Sequence, residues 1–135
     1  MNPQPIIADT NIFLRYFLKD NPEQSDQAKQ FLRRAKIGKI ELIIPQIVIF
    51  EIVFAFSKLY GFSKDEIISK VDSLLAAGYL KIQDQGNFKK AVGLYRESNL
   101  SLADCFLIAK AREIGAEIFT FDKDLKKISS GLENH

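Results

Sequence analysis

Four acidic residues stand out because each lies beside an apolar run at a point where the chain is predicted to turn. Asp9 and Asp122 each follow such a run. Glu51 lies inside the most apolar stretch of the chain, and Asp104 opens an apolar helical segment. Carboxylates are costly to bury without a positive partner. Oxygen ligands with little His or Cys suit hard ions such as Mg²⁺ or Mn²⁺, so these residues indicate a metal-dependent enzyme that acts on phosphate esters.

Each of these acids also has a structural explanation. Asp9 and Asp104 are of the residue type that caps helix N-termini, and Asp122 fits a turn or the start of a helix. Asp124 is an equal candidate to Asp122 by spacing alone. Glu51 has no capping role, so its alternatives are a narrow polar edge of its helix or a single buried ion pair.

Short apolar segments alternate with helical segments along the chain. The predicted strands cover residues 5–8, 40–44, 79–83 and 117–120. The predicted helices cover residues 9 or 10 to about 19, 22–37, 45 to before 61, 63–78, about 88–98, and 101–115. This alternation predicts an α/β fold: a single domain over residues 1–135 with a short parallel sheet of about four to five strands and helices on both faces.

The predicted topology places the acids at one edge of that sheet. Ligands of such sheets bind beyond the carboxyl ends of the strands. Asp9 and Asp122 are expected at this edge, and Glu51 and Asp104 near the starts of helices that open from it. Two like unit charges 4 Å apart repel by about 4 kcal/mol at an effective dielectric constant of about 20. A cluster of four carboxylates would therefore need cations.

The composition excludes several classes of protein. The 135 residues suffice for one domain with one core, and a net charge of +2 is too small to argue for a nucleic-acid partner by itself. Cys105 is the only cysteine, so an internal disulfide is impossible. His135, the only histidine, is the terminal residue and a poor catalytic candidate. Neither a secretory signal nor a clean membrane span is visible, so we expect a cytoplasmic protein with no membrane partner.

Three segments that contain the acids resemble the motifs of a known family, the PIN-domain ribonucleases, and within it the VapC-type toxins of bacterial toxin–antitoxin pairs. The segments are residues 8–16 (Ala-Asp-Thr-Asn-Ile-Phe-Leu-Arg-Tyr), 102–109 (Leu-Ala-Asp-Cys-Phe-Leu-Ile-Ala) and 119–124 (Phe-Thr-Phe-Asp-Lys-Asp). By this comparison Asp122 rather than Asp124 is the acidic position of the last motif. Glu51 falls on the family's mid-chain glutamate.

The resemblance covers essentially the whole chain and implies more than a fold. It implies a parallel sheet flanked by helices, RNA cleavage that depends on Mg²⁺ or Mn²⁺, homodimers, and inhibition by a partner antitoxin. We expect Asp9 and Asp104 to make the main metal contacts, and Glu51 and Asp122 to complete the ligand set directly or through water. Adjacent polar residues are expected to orient these carboxylates through hydrogen bonds: Asn11, Ser101 and Thr120.

Basic residues near the acids suggest how a polyanion would be held. Arg15 and Lys19 follow Asn11 at four-residue intervals, and Lys123 follows Asp122. Such residues would bind RNA phosphates on either side of an acidic site, although exposed helices commonly carry lysines. Another basic cluster, over residues 33–39, is interpreted as a solvated helix end.

An aromatic and aliphatic surface indicates a self-association interface. Its residues are Phe50, Phe54, Phe56, Ile67, Leu74 and Leu75. We expect part of it to form a homodimer contact. The alternative is that both helices pack on the sheet of their own subunit.

Two other classes of function compete with the nuclease. A phosphoryl-transfer domain of the receiver type needs an acceptor aspartate after a central strand and a lysine after a late one, and the chain supplies neither. A haloacid-dehalogenase-like domain needs a second aspartate two residues after the first, where the chain has Asn11. A non-catalytic scaffold that binds RNA or protein would use the acids only as helix caps.

Overall fold

The structure is a computed structural model that describes residues 2–133, with side chains described as far as Ser129. The chain divides into two compact units, Met1–Asp84 and Gln85–His135. The single domain predicted over residues 1–135 stays a prediction. His135 lies outside the described residues.

The first unit is built on a parallel sheet of three strands. They are β1 (Gln4–Ile7), β2 (Ile40–Ile44) and β3 (Leu80–Ile82), and they lie in the order β1-β2-β3. In the register, Ile7 pairs with Ile43, and Leu42 pairs with Leu80. Because all three strands run parallel, their carboxyl ends lie at the same edge of the sheet.

Four α-helices accompany this sheet, and local sequence signals explain where two of them begin. They are α1 (Thr10–Leu18), α2 (Pro22–Lys36), α3 (Gln46–Phe54) and α4 (Lys64–Ala76). The Asn21 side chain accepts a hydrogen bond from the Gln24 N–H at 3.1 Å, with Pro22 at the first helical position. Ser63 caps α4. These starts confirm the predicted ones.

A π-helical turn over Ala55–Leu59 continues α3. The Tyr60 N–H donates to the Ala55 carbonyl at 3.0 Å, the five-residue spacing of a π-helix. Gly61 then ends the segment with φ +64°. The helix predicted to end before residue 61 is therefore present, with a wider last turn.

Most residues of the surface expected to include a homodimer contact are buried in the chain itself, and the homodimer stays a prediction. Phe56, Ile67, Leu74 and Leu75 are buried within the first unit, because α4 packs against α3, its π-helical continuation and β3. Phe54, in contrast, is 58% exposed. Packing within the subunit thus accounts for four of the six side chains.

The prediction of four to five strands is wrong for the part of the chain that the structure describes, which has three. Residues 117–120, predicted as the last strand, pair with no described strand, and Phe119 is 88% exposed. A strand needs a neighbour to satisfy its backbone groups. The four residues of the segment do not show by themselves whether that neighbour exists.

The first strand is also less buried than predicted. Residues 5–8 were expected to form a buried strand, but β1 covers Gln4–Ile7 and Ile7 is 64% exposed. β1 is an edge strand with β2 as its only described neighbour. Its position in the sheet, and not its composition, therefore determines the exposure of its side chains.

The described part of the second unit consists of three helices, α5 (Gln85–Glu97), α6 (Leu102–Ile114) and α7 (Lys123–Glu133). α5 packs on α6, where the rings of Phe88 and Phe106 lie 4.8 Å apart. Cys105 is fully buried in this core, as expected of a small packing residue. None of the described helices has both the length and the apolar character that crossing a membrane requires.

The capping box of α4 leads to a prediction about pH. The Glu66 carboxylate accepts from the Ser63 N–H at 3.1 Å, and the Ser63 hydroxyl accepts from the Glu66 N–H at 3.2 Å. Hydrogen bonding to the backbone of Ser63, followed by hydrogen bonding to the Ser63 side chain, lowers the pKa of the Glu66 carboxyl group. A lowered pKa stabilises the fold above the unfolded-state value, and this contribution is lost as the pH falls through the folded-state value.

We therefore expect Glu66→Gln to lower the melting temperature at neutral pH, and the difference from the parent to disappear in acid. Thermal unfolding followed by circular dichroism at a series of pH values measures this. Asp65→Asn is the control, because it removes the same charge from the same helical turn without breaking the capping box. Equal melting temperatures for Glu66→Gln and parent at every pH would contradict the prediction.

Candidate functional site

Asp9 lies at the carboxyl end of β1 and is the N-cap residue of α1. Its backbone is extended, with φ −77° and ψ 171°, and its carbonyl accepts from the Ile12 N–H at 3.2 Å. Its carboxylate, however, makes no capping hydrogen bond, and the residue is exposed. The structural explanation that the sequence offered for Asp9 therefore does not account for its carboxylate.

Glu51 is held beside the start of α1 by a hydrogen bond that spans 41 residues of sequence. The Thr10 hydroxyl donates to Glu51 Oε2 at 2.5 Å. Glu51 is exposed, which agrees with a polar edge of its helix and excludes a buried ion pair. Its neighbours Ile52 and Val53 are buried, so α3 turns other positions toward the core. The contact brings Glu51 next to the residue that follows Asp9.

Thr10 is the site residue that the sequence analysis did not identify. Thr10 is the first residue of α1, directly after the N-cap Asp9. The available signal was its position: a hydroxyl in the first turn of a helix, directly after the acid of the first motif. Sequence alone did not show that Glu51 would be its acceptor.

Asp104 and Asp122 both lie at helix starts in the second unit. The Asp104 N–H donates to Ser101 Oγ at 3.1 Å, so Ser101 caps α6 and holds Asp104 in its first turn. Asp104 is half-buried, whereas Asp122 is exposed. Negative charge at this end of a helix is favoured by the helix dipole. The N-cap of α6 is therefore Ser101, and Asp104 is not the capping residue.

Asp122 does act as a cap. Its Oδ1 accepts from the Leu125 N–H at 2.9 Å, and its carbonyl accepts from the Lys126 N–H at 3.0 Å. Its own N–H donates to Thr120 Oγ1 at 3.0 Å. Spacing alone left Asp122 and Asp124 as equal candidates. In the structure, Asp122 is the residue that directly precedes α7. Asp124 lies in the first turn of that helix.

Ser101 and Thr120 contact the acidic residues through backbone amides, not through carboxylates. Asn11 is exposed in the first turn of α1. That these three residues orient the carboxylates stays a prediction. In the first unit the hydroxyl that contacts a carboxylate belongs to Thr10.

The basic residues expected to bind substrate differ in their surroundings. The Arg15 guanidinium forms an ion pair with Asp20 at 2.8 Å. Lys19 has φ +58°, so α1 ends at Leu18 and the predicted ridge through residues 11, 15 and 19 does not continue as a helix. Lys123 is exposed at the start of α7.

The donor atoms that these residues offer are carboxylate and hydroxyl oxygens, which suit Mg²⁺ or Mn²⁺. Each unit contains two of the four acids. Within neither unit do three or more described His, Cys, Asp or Glu side chains gather as possible metal ligands.

Comparison with known proteins identifies the family. The family model of the PIN domain matches residues 6–131, which include all four acids. The chain belongs to the PIN-domain family. It is also similar to a protein of Aquifex aeolicus (strain VF5) described as a VapC ribonuclease, with 24% identity over 123 residues, 90% of each chain. The resemblance seen in the motifs is confirmed by both comparisons.

The different roles of Asp9 and Asp122 at their helix starts predict different effects on stability. Asp122→Ala should cost about 1 kcal/mol, because it removes a capping acceptor. Asp9→Ala removes no capping bond and should cost less than half as much. Chemical denaturation of both variants measures this difference, with Asp122→Asn as the control that keeps an acceptor. Equal losses for the two alanine variants would show that Asp9 is a structural cap.

Proposed function

We propose that this protein is a metal-dependent endoribonuclease that hydrolyses RNA phosphodiester bonds and acts as the toxin of a toxin–antitoxin pair. The observation that carries the proposal is the Asp9 carboxylate. It lies at the carboxyl edge of the sheet, unused by the helix that it precedes, and the next residue, Thr10, holds Glu51. Membership of the PIN-domain family and the name of the Aquifex aeolicus relative support this assignment.

We assign the metal-binding role to the four acids that the motifs single out. Asp9 and Asp104 are the main ligands, and Glu51 and Asp122 complete the set directly or through water. The donors are all oxygen atoms, as Mg²⁺ and Mn²⁺ require. Asp122 can serve both functions, because its cap uses only Oδ1 and leaves a second oxygen.

When bound, a divalent ion lowers the pKa of water and offsets charge on the scissile phosphate. The residues of the chain supply orientation. The Thr10 hydroxyl fixes one oxygen of Glu51, so the other oxygen has a defined direction in which to bind an ion or accept a proton from the attacking water. Attack in line breaks the bond from phosphorus to the leaving oxygen, which takes up a proton.

Basic residues would hold the RNA on either side of the bond to be cut. Lys19 and Lys123 are exposed and would contact phosphates through charge. Arg15 is paired with Asp20, so it would bind RNA only by exchanging that partner. We assign these residues to substrate binding on the basis of charge and position.

An antitoxin partner, a homodimer and a cytoplasmic location follow from the same proposal. Phe54 of the predicted dimer surface is exposed and available for a partner, and so is Ile47 of the same helix, which was not among the predicted residues. Their exposure, 58% and 59%, is what a contact with a second chain would remove.

A non-catalytic scaffold is the competing function, and one observation favours it. Asp122 caps α7 and Ser101 caps α6, so these positions have structural uses without catalysis. The two functions differ in what a charge-neutral substitution does. If the protein is a scaffold, changing a carboxylate that makes no cap to an amide leaves its function unchanged.

We expect Asp9→Asn and Asp104→Asn each to lower Mn²⁺-dependent cleavage of a labelled single-stranded RNA by more than about 100-fold. That loss exceeds the range found for residues that only support a ligand. The melting temperatures should stay at the parent value. Asp124→Asn is the matched control, since it removes the same charge within the last motif at the position that is not its acidic residue, and it should leave cleavage unchanged.

Gel analysis of the labelled RNA, with and without EDTA, measures the rates. If both variants cut at the parent rate, the nuclease assignment fails, and if cleavage by the parent continues in EDTA, the proposed metal dependence fails. Sequencing of the cleaved ends then identifies the preferred RNA.

A further inference from the structure

A groove on the first unit combines basic and aromatic side chains. It has a volume of about 580 Å³, and its lining includes Lys29, Arg33 and Lys36 of α2 together with Tyr16 and Tyr79. The three basic residues are spaced by four and three positions, which puts them on one face of the helix. The buried Leu32 lies on the same face and anchors it to the core.

This groove lies at the end of the unit opposite to Asp9. Tyr79 immediately precedes β3, and Ile37, which also lines the groove, follows α2 shortly before β2. The groove therefore borders the amino ends of strands, whereas Asp9 follows the carboxyl end of β1. Along α1, Tyr16 lies about 9 Å from Thr10, at a rise of about 1.5 Å per residue.

The cations of the groove are available for an anion. Among the described residues, no acidic side chain pairs with Lys29, Arg33 or Lys36. An adjoining depression shares Lys36 and Tyr79 and adds Lys81 and Glu41, so positive charge still exceeds negative charge. The surface as a whole favours a ligand with several negative charges.

The tyrosines give the groove a second chemical property. Tyr79 is half-buried, and burial, followed by the proximity of Tyr16, raises the pKa of its hydroxyl. The hydroxyl therefore remains a hydrogen-bond donor at neutral pH. The Tyr16 ring packs edge-on against Phe17, with ring centroids 5.2 Å apart, which restricts its orientation. Both rings lie beside the cations.

We propose that this groove binds single-stranded RNA at a distance from the cleavage site, with phosphates on Lys29, Arg33 and Lys36 and bases against Tyr16 and Tyr79. A charged track bordered by aromatic rings is the combination that binds single strands without sequence preference. An acidic peptide would use the charges but has no aromatic bases to stack on the rings. This inference rests on the proposed function, because it names RNA as the ligand.

Two double variants within residues 33–39 form a matched pair, one inside the groove and one outside it. Arg33→Gln with Lys36→Gln removes one arginine and one lysine from the groove. Arg34→Gln with Lys39→Gln removes the same two residue types from positions that line neither the groove nor the adjoining depression. Both doubles therefore change the net charge equally.

Fluorescence anisotropy with a labelled oligouridylate, in EDTA so that no cleavage occurs, measures binding. The slope of log Kd against log salt concentration should fall by about 1.4 for the groove double, at about 0.7 per phosphate contact on a single strand. The slope for the control double should equal that of the parent. Tyr79→Ala should weaken binding roughly tenfold, and Tyr79→Phe should retain most of it.

The results separate this proposal from the proposed nuclease function. Equal salt-dependence slopes for the two double variants would overturn the proposal that the groove binds RNA, even when the parent cuts RNA. Competition by polyglutamate as strong as that by RNA, with Tyr79→Ala unaffected, shows an acidic-peptide site and also overturns it. If the parent binds through the groove but never cuts RNA with Mn²⁺, the nuclease assignment fails and the groove stands. In the cleavage reaction, the groove double should raise KM for long RNA with kcat unchanged.

Discussion

The hydrogen bond from Thr10 to Glu51 is the contact on which the candidate site of the first unit depends. It forms because the sheet register pairs Ile7 with Ile43, which brings the carboxyl ends of β1 and β2 level. The helices that follow these strands, α1 and α3, then begin side by side. A glutamate more than one turn into α3 can therefore reach a hydroxyl in the first turn of α1.

Asp9 and Asp122 illustrate two ways in which an aspartate can precede a helix. The carboxylate of Asp122 has a structural role, since it caps α7. Asp9 occupies the same position before α1, yet its carboxylate makes no cap. Positions where a side chain fails to serve the local structure are where functional demands are expected. The difference supports a chemical role for Asp9 more strongly than the presence of the acid alone.

Local signals predicted the elements of the fold better than contacts between distant residues. The strand over residues 40–44 and the helix starts at Asn21 and Ser63 are as predicted. An apolar run and a helix cap are each encoded within a few residues. The strand predicted over residues 117–120 is absent from the described structure, because strand formation needs a partner elsewhere in the chain. The four acids could be chosen from the sequence, but the Thr10 contact could not, since its acceptor lies 41 residues away.

The proposed nuclease activity requires that Asp9 bind a divalent ion. Anomalous diffraction from crystals soaked in Mn²⁺, recorded near the manganese absorption edge, tests it most directly. We expect an anomalous peak within bonding distance of the Asp9 carboxylate, about 2.1 Å for a small hard ion, and its loss in Asp9→Asn crystals. A peak in contact only with other residues at saturating Mn²⁺, or the same peak in Asp9→Asn, would contradict it.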